Sequence, residues 1–278
     1  MTSINEIFKN LSLSASRAKI AYLSLEEIKD LWENHQKDKN IITYFLFNNV
    51  KECPKIYQDD MNTAYACSWI QDKTLYISYR GTEDAIDIIT DIDLIREPLF
   101  PTEDKSILVH SGFLKYFQSL NSQIGKEILD KFEDIDVIHF QGHSLGASLS
   151  TIASCWYGKF YHNSKKIINH TIGSPRVGNN KFVKFYNKVI SENIRIVNDK
   201  DPVTLFPISL LYEHVDNSIF LKEDGTEKKI LKDINWFARL VFLPFEIYYR
   251  APVSHHKCDL YINRLIKLAN WDIILYHN

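Results

Sequence analysis

A run rich in apolar and β-branched residues, 135–141, stops at Gly142, and a helical pattern takes over from Leu145 to about Tyr161. Between the two stands Gly142-His143-Ser144-Leu145-Gly146, a G-x-S-x-G pentapeptide at a strand-to-helix turn. Such a turn needs a buried strand, hence a sheet, and a helix that begins where the strand ends, hence a covering layer. A serine at its apex takes a strained backbone conformation, and residues without side chains two before and two after it leave the chain room to do so.

The surrounding chain supplies the rest of the sheet. Downstream, a strand at 167–172, a helix at 181–189 and a strand at 194–197 continue the alternation. Upstream, strands at 64–70 and 74–79 flank Gln71-Asp72-Lys73, which predicts an antiparallel hairpin ending at Arg80-Gly81-Thr82; a helical pattern covers 112–132. Strand, helix, strand, helix, strand means an α/β fold with a mostly parallel central sheet. Residues 14–35 place Ala15, Ala18, Leu23, Leu25, Ile28, Leu31 and Trp32 at helical spacing, as an amphipathic helix pair or one broken helix. The expected organisation of the 278 residues is a single α/β domain with a helical segment over 1–60, since no repeat, low-complexity tract or Gly/Ser linker marks a boundary.

Composition narrows the function. With 45% hydrophobic and 24% charged residues the chain can bury a sizeable core, and a net charge of −2 argues against a general nucleic-acid binder. Cys53, Cys67, Cys155 and Cys258 lie far apart without a C-x-x-C pair, so reduced thiols are expected rather than a disulfide framework or a cysteine zinc site. The start shows no basic region followed by an apolar stretch, and no run approaches 18 apolar residues, so the expectation is a cytoplasmic protein that meets membranes only peripherally.

A serine hydroxyl is a weak nucleophile and needs an imidazole base oriented by a carboxylate, in chain order Ser, Asp or Glu, His for this kind of turn. The N-terminus of the following helix aims the Leu145 N–H and the helix dipole at a developing oxyanion. His143, next to Ser144, points away from its hydroxyl and packs under the turn. Asp199 and Asp201 both follow the strand 194–197; Pro202 pins the chain after Asp201, but the residues alone leave the two acids open. Of the later histidines, His277 stands one residue from the end and His214 reads as a half-exposed strand residue, whereas His255 and His256 hang on a loop before the last helical pattern. His256-Lys257-Cys258 has no second ligand cluster, so neither a metal nor another cofactor is expected.

Several ordered motifs give the sequence a family likeness. Tyr79-Arg80-Gly81-Thr82, the segment from Asp87 to Asp91, Val109-His110-Ser111-Gly112-Phe113, the turn from Gln141 to Ala147, the stretch from Thr171 to Gly178 (TIGSPRVG), the stretch from Val197 to Val203, and His256 five residues before Tyr261 together resemble the class 3 lipases, the fungal-lipase-like α/β hydrolases. The likeness covers about residues 64–265. It implies the α/β-hydrolase fold, a catalytic triad of Ser144, Asp201 and His256, and an oxyanion hole from Thr82 and the Leu145 N–H. It departs from the family at Ile88, where a tryptophan is usual, at Ala147, where a second glycine is common, and in the double histidine that leaves His255 as a rival base.

The resemblance implies a serine ester hydrolase acting on acyl lipids without cofactor or metal. Alternatives are a phospholipase A1, a soluble-ester esterase, or a lipase-like binding module that has lost catalysis. Ala85, Ile88, Ile89 and Ile92 sit at helical spacing up to Pro98, as a core-covering helix or a lid. The apolar stretch 236–249 is a second candidate for acyl-pocket wall or peripheral lipid contact.

Overall fold

In the computed structural model, which describes residues 3–37, 41–82, 94–207, 209–222, 227–229 and 253–270, the elbow strand β6 (Val137–His143) lies inside an eight-stranded sheet. The sheet order is β1 (Lys55–Gln58), β2 (Tyr65–Gln71), β3 (Thr74–Tyr79), β6, β7 (Lys166–Ile172), β8 (Glu192–Asn198), β9 (Ser218–Leu221) and β10 (Glu227–Lys229). The strands from β3 to β9 pair in parallel, and antiparallel hairpins close both edges. β4 (Arg96–Phe100) and β5 (Asp104–His110) form a separate two-stranded ribbon.

Helices cover both faces. On one, α4 (Ser111–Asp130), α5 (Leu145–Tyr161) and α6 (Asn180–Val189) pack over Leu75, Ile77, Ile138, Phe140 and Ile167. On the other, α1 (Ile4–Ile20), α3 (Ile41–Phe47) and α7 (Cys258–Leu268) pack over Trp69, Ile172 and Ile196, with α2 (Leu25–Asn34) outside them. A central parallel strand covered on both faces usually reads as an unbroken apolar run. β6 does not: Ile138 and Phe140 face one layer, while the alternate positions His139, Gln141 and His143 are polar and buried toward the other. Facing them, α1 buries Ser12, Ser14, Ser16 and Arg17.

The hairpin turns at Asp72 and Lys73, both at positive φ, as a two-residue connection requires. His110 caps α4, its Nδ1 accepting the Gly112 and Phe113 N–H groups at 3.2 and 3.4 Å, which gives the V-H-x-G-F stretch a structural purpose.

Three expectations change. Residues 55–58, inside the segment expected to be helical, pair with β2 as the edge strand β1. Pro98 ends no helix; it sits in β4 opposite Leu108, beside an irregular register, where a missing N–H is tolerated. His214 is a buried loop residue whose Nε2 bonds the Thr204 carbonyl at 2.8 Å, because the alternation around it reflects a bridge at Glu213 and no strand. The spacing-based helix at 84–93 and the apolar stretch 236–249 lie outside the described residues.

The two elbow glycines answer to steric demands from different neighbours. A Cβ on Gly142 would lie 2.2 Å from the Gly146 carbonyl oxygen, and one on Gly146 would lie 2.1 Å from the Tyr79 carbonyl oxygen on β3. Both obstacles are backbone, so neither can swing aside. Gly146→Ala should therefore cost about 1–3 kcal/mol by overpacking, seen as a lowered melting temperature; an unchanged one would show that β3 and α5 slide apart freely.

Candidate active site

The parallel register brings four loop starts together at the carboxyl ends of adjacent strands, where sheet proteins of this kind hold their ligands. Tyr79 pairs with Gly142, His143 with Ile172, and Ile172 with Ile196, so the segments after β3, β6, β7 and β8 converge.

Ser144 occupies the apex of the turn with φ 59° and ψ −126°, in the left-handed half of the map that a side chain avoids. Its N–H bonds the Ile172 carbonyl at 3.0 Å, and its carbonyl accepts the Ala147 N–H at 3.0 Å, which locks the strained residue between β7 and the first turn of α5. The side chain is fully buried, and its Oγ has no hydrogen-bond partner among the described residues.

Asp201 follows β8 and is 2% exposed, whereas Asp199 is exposed. Its Oδ1 accepts the Val203 N–H at 2.9 Å, and its Oδ2 accepts from both His256 Nδ1 at 2.8 Å and the Tyr261 hydroxyl at 2.6 Å. An ionised carboxylate only accepts, so His256 carries its proton on Nδ1 and leaves Nε2 as a free acceptor. That Nε2 is buried and also without a partner among the described residues. Among the described residues His255 bonds no carboxylate; its carbonyl accepts from Asn198 Nδ2 at 2.9 Å, and its ring Nδ1 has no partner. Of the two acids and two histidines that compete in the sequence, the fold thus joins Asp201 to His256.

His143 lies under the turn, as its position next to Ser144 suggests. Its Nε2–H donates to the His256 carbonyl at 2.6 Å, so its Nδ1 accepts the Tyr22 hydroxyl at 2.9 Å. Burial, helped by the neighbouring His256, holds its pKa well below the usual imidazole range, so it stays neutral.

Two supports were not legible in the sequence. Gly173, at φ 59°, passes so close to the pair that a Cβ there would lie 2.9 Å from Asp201 Oδ2 and 3.0 Å from His256 Cε1. Tyr261, reaching back from α7, accepts the Asn198 N–H at 3.0 Å while donating to Asp201. Burial and the adjacent Asp201 charge push its phenol pKa far up, so the hydroxyl keeps the proton it donates. The five-residue spacing from His256 was the only signal for it.

Leu145 is the first residue of α5, and its N–H has no preceding turn to bond. Thr82 is exposed and lines, with Leu145, Leu149, Tyr116 and Arg80, a cavity of about 360 Å³ beside the turn. Among the described residues no cluster of three or more His, Cys, Asp or Glu could hold a metal ion. The same residues include no helix long and apolar enough to cross a membrane.

Comparison with known proteins points the same way. Residues 76–210 match the model of the family described as Lipase (class 3). The chain is 29% identical over 151 residues to the chloroplastic phospholipase A(1) DAD1 of Arabidopsis thaliana, an alignment covering 49% of this chain and 34% of that protein. It is 29% identical over 123 residues to the secreted mono- and diacylglycerol lipase 1 of Fusarium solani, covering 43% and 36%. The chain thus spans about a third of the length of these relatives. Among solved structures, a Rhizomucor miehei lipase in complex with its propeptide superposes with a TM-score of 0.73 at 18% identity, covering 93% of this chain and 82% of that one. At that identity the likeness speaks for the fold. The chain has the α/β-hydrolase fold, and its residues 76–210 are similar to the class 3 lipase family.

Proposed function

We propose that the chain is a serine carboxylic ester hydrolase that cleaves acyl lipids through an acyl-enzyme. The observation that carries this reading is the pair of buried atoms without a hydrogen-bond partner among the described residues, Ser144 Oγ and His256 Nε2. Leaving a buried hydroxyl and imidazole nitrogen without a protein partner is costly, and a fold keeps such groups where a reaction uses them.

In this scheme Ser144 Oγ attacks the ester carbonyl carbon as His256 Nε2 takes its proton. Asp201 stabilises the imidazolium through Nδ1–H, and the Leu145 N–H with Thr82 receives the oxyanion. The imidazolium then protonates the departing alkoxide. Water repeats the sequence with His256 again as base, frees the carboxylic acid and restores Ser144.

Both the mono- and diacylglycerol lipase and the phospholipase A1 among the relatives bear on the substrate. The acyl-lipid ester is the shared chemistry, and phospholipase A1 activity is the second reading. Peripheral contact with a lipid surface is part of the proposal, carried by the apolar sequence at 236–249.

The test is a fluorophosphonate label with mapping of the modified peptide, alongside hydrolysis of emulsified triacylglycerol, phosphatidylcholine vesicles and a short soluble ester. Labelling of Ser144 with turnover of at least one lipid is expected. A protein that neither labels nor turns over any of the three is a binding module, and the proposal fails.

A further inference from the structure

Apart from His143, no group in the polar layer between α1 and the sheet is hydrogen-bonded to Ser144, Asp201 or His256 among the described residues. His139 on β6 and His170 on β7 meet edge to face at 4.5 Å, and the Tyr76 ring of β3 lies 5.2 Å from His139. From α1, Arg17 stacks over Tyr76 at 4.1 Å; among the described residues its one hydrogen-bond partner is the Gln71 side chain, at 3.4 Å, and its Nε is unpaired. Ser14, also on α1, bonds His170 Nδ1 at 2.8 Å. Among the described residues the carboxylate at these rings is Glu192 of β8, which bonds His170 Nε2 at 3.2 Å and the Lys166 ammonium of β7 at 2.9 Å. The groups facing the two rings are therefore Arg17, Ser14, Tyr76, Glu192 and Lys166. Among the described residues, Arg17 and Lys166 are the cations, and the anion Glu192 pairs with Lys166 and His170 but not with Arg17 or His139.

We infer that α1 is an acid-releasable strap: protonation of His139, seconded by His170, undocks the helix and removes the support of the loop that carries His256. The support is visible at the other end of α1. Lys19 pairs with Asp259, and Cys258 Sγ lies 3.8 Å from the Ala15 carbonyl, both at the start of α7. Tyr22, just beyond α1, holds His143, which holds the His256 carbonyl.

The trigger is asymmetric. A protonated His170 can keep its place, because Ser14 can turn its hydroxyl to the Asn10 carbonyl and Glu192 accepts the second ring proton. His139 has no such outlet: its Nε2 is unpartnered among the described residues, and the permanent charges that act on it are the cations Arg17 and Lys166. Burial, then His170, Arg17 and Lys166, hold its pKa well below the ordinary 6.5; burial also lowers that of His170 despite Glu192. A histidine with a depressed pKa binds fewer protons docked than released. Docking is thus at full strength above about pH 6.5 and weakens as the pH falls below it, about tenfold per pH unit for each proton taken up.

The consequence for hydrolysis rests on the proposed role of Ser144 and His256; the release itself does not. The experiment is amide hydrogen exchange of the full chain from pH 8 to 5, corrected for intrinsic rates, with ester hydrolysis measured in parallel. Exchange over 4–22 should rise about tenfold per pH unit below about pH 6.5 while β3 and β6 stay protected, and activity should fall with it reversibly. His139→Phe, which keeps a ring against Tyr76, should leave α1 at least tenfold more protected at pH 5.5. Should that variant misfold, Arg17→Gln removes the repelling charge and should act in the same direction. The inference is overturned if α1 exchanges only when β6 does, or if wild type and both variants share one acid profile. Release without loss of activity would sink the coupling to His256. Release in a protein that never hydrolyses or labels would leave the strap standing and refute the proposed function.

Discussion

Ser144→Ala is expected to abolish fluorophosphonate labelling and to lower ester hydrolysis by about 10⁴-fold or more, as loss of an attacking group does when the remaining triad can only assist water. Stability should hardly move. The hydroxyl is fully buried and bonds nothing among the described residues, so its removal breaks no hydrogen bond there and relieves a desolvated polar atom. Alanine at φ 59° keeps the backbone strain, whereas Ser144→Gly should relieve it and raise the melting temperature of an equally dead protein. Ser111 and Ser174 are the controls. Ser111 is the buried first residue of α4, and Ser174 Oγ already donates to the Pro175 carbonyl at 2.9 Å. Continued labelling on either one in Ser144→Ala would overturn the assignment.

Strands β2, β3, β6, β7 and β8 and helices α4, α5 and α6 were legible because their apolar positions recur at the period of the element and turn residues punctuate them. The elements that escaped are short or paired at a distance. β1 and β9 have four residues each, too few to show a period, and β4 pairs with β5 across a proline that reads locally as a stop.

The site divides in the same way. Ser144 was readable because strand, turn and helix are contiguous. The choice between Asp199 and Asp201, or between His255 and His256, was not, because it depends on which side chain turns inward from a loop 55 residues away. Residue type and spacing leave both pairs open; family likeness selects Asp201 and His256, and the burial of Asp201 against the exposure of Asp199 gives the physical reason. Gly173 and Tyr261 stand inside the family-like motifs, but what each touches has no local signal, since each acts on a group that only the closed sheet brings near.

Asp201→Asn is expected to cost about 10³–10⁴-fold in kcat, a loss set by proton placement more than by charge. All three groups at the carboxylate are donors: the Val203 N–H to Oδ1, and His256 Nδ1–H with the Tyr261 hydroxyl to Oδ2. An asparagine has one acceptor oxygen, so its NH₂ must face one side. Turned toward Val203, it sets two N–H groups against each other and leaves both unsatisfied in a buried site. Turned toward His256, it forces Nδ1 to accept, moves the ring proton to Nε2, and leaves the imidazole unable to take the proton of Ser144. Tyr261→Phe removes a donor but leaves the His256 tautomer in place, so its loss should be tenfold or so, and Asp199→Asn, at an exposed position, should fall within a factor of three. His256→Ala should match Ser144→Ala, with His255→Ala reduced only several-fold. Steady-state kinetics on one soluble ester ranks all five, and an Asp199 variant that falls below the Asp201 variant would mean that a different carboxylate orients the base.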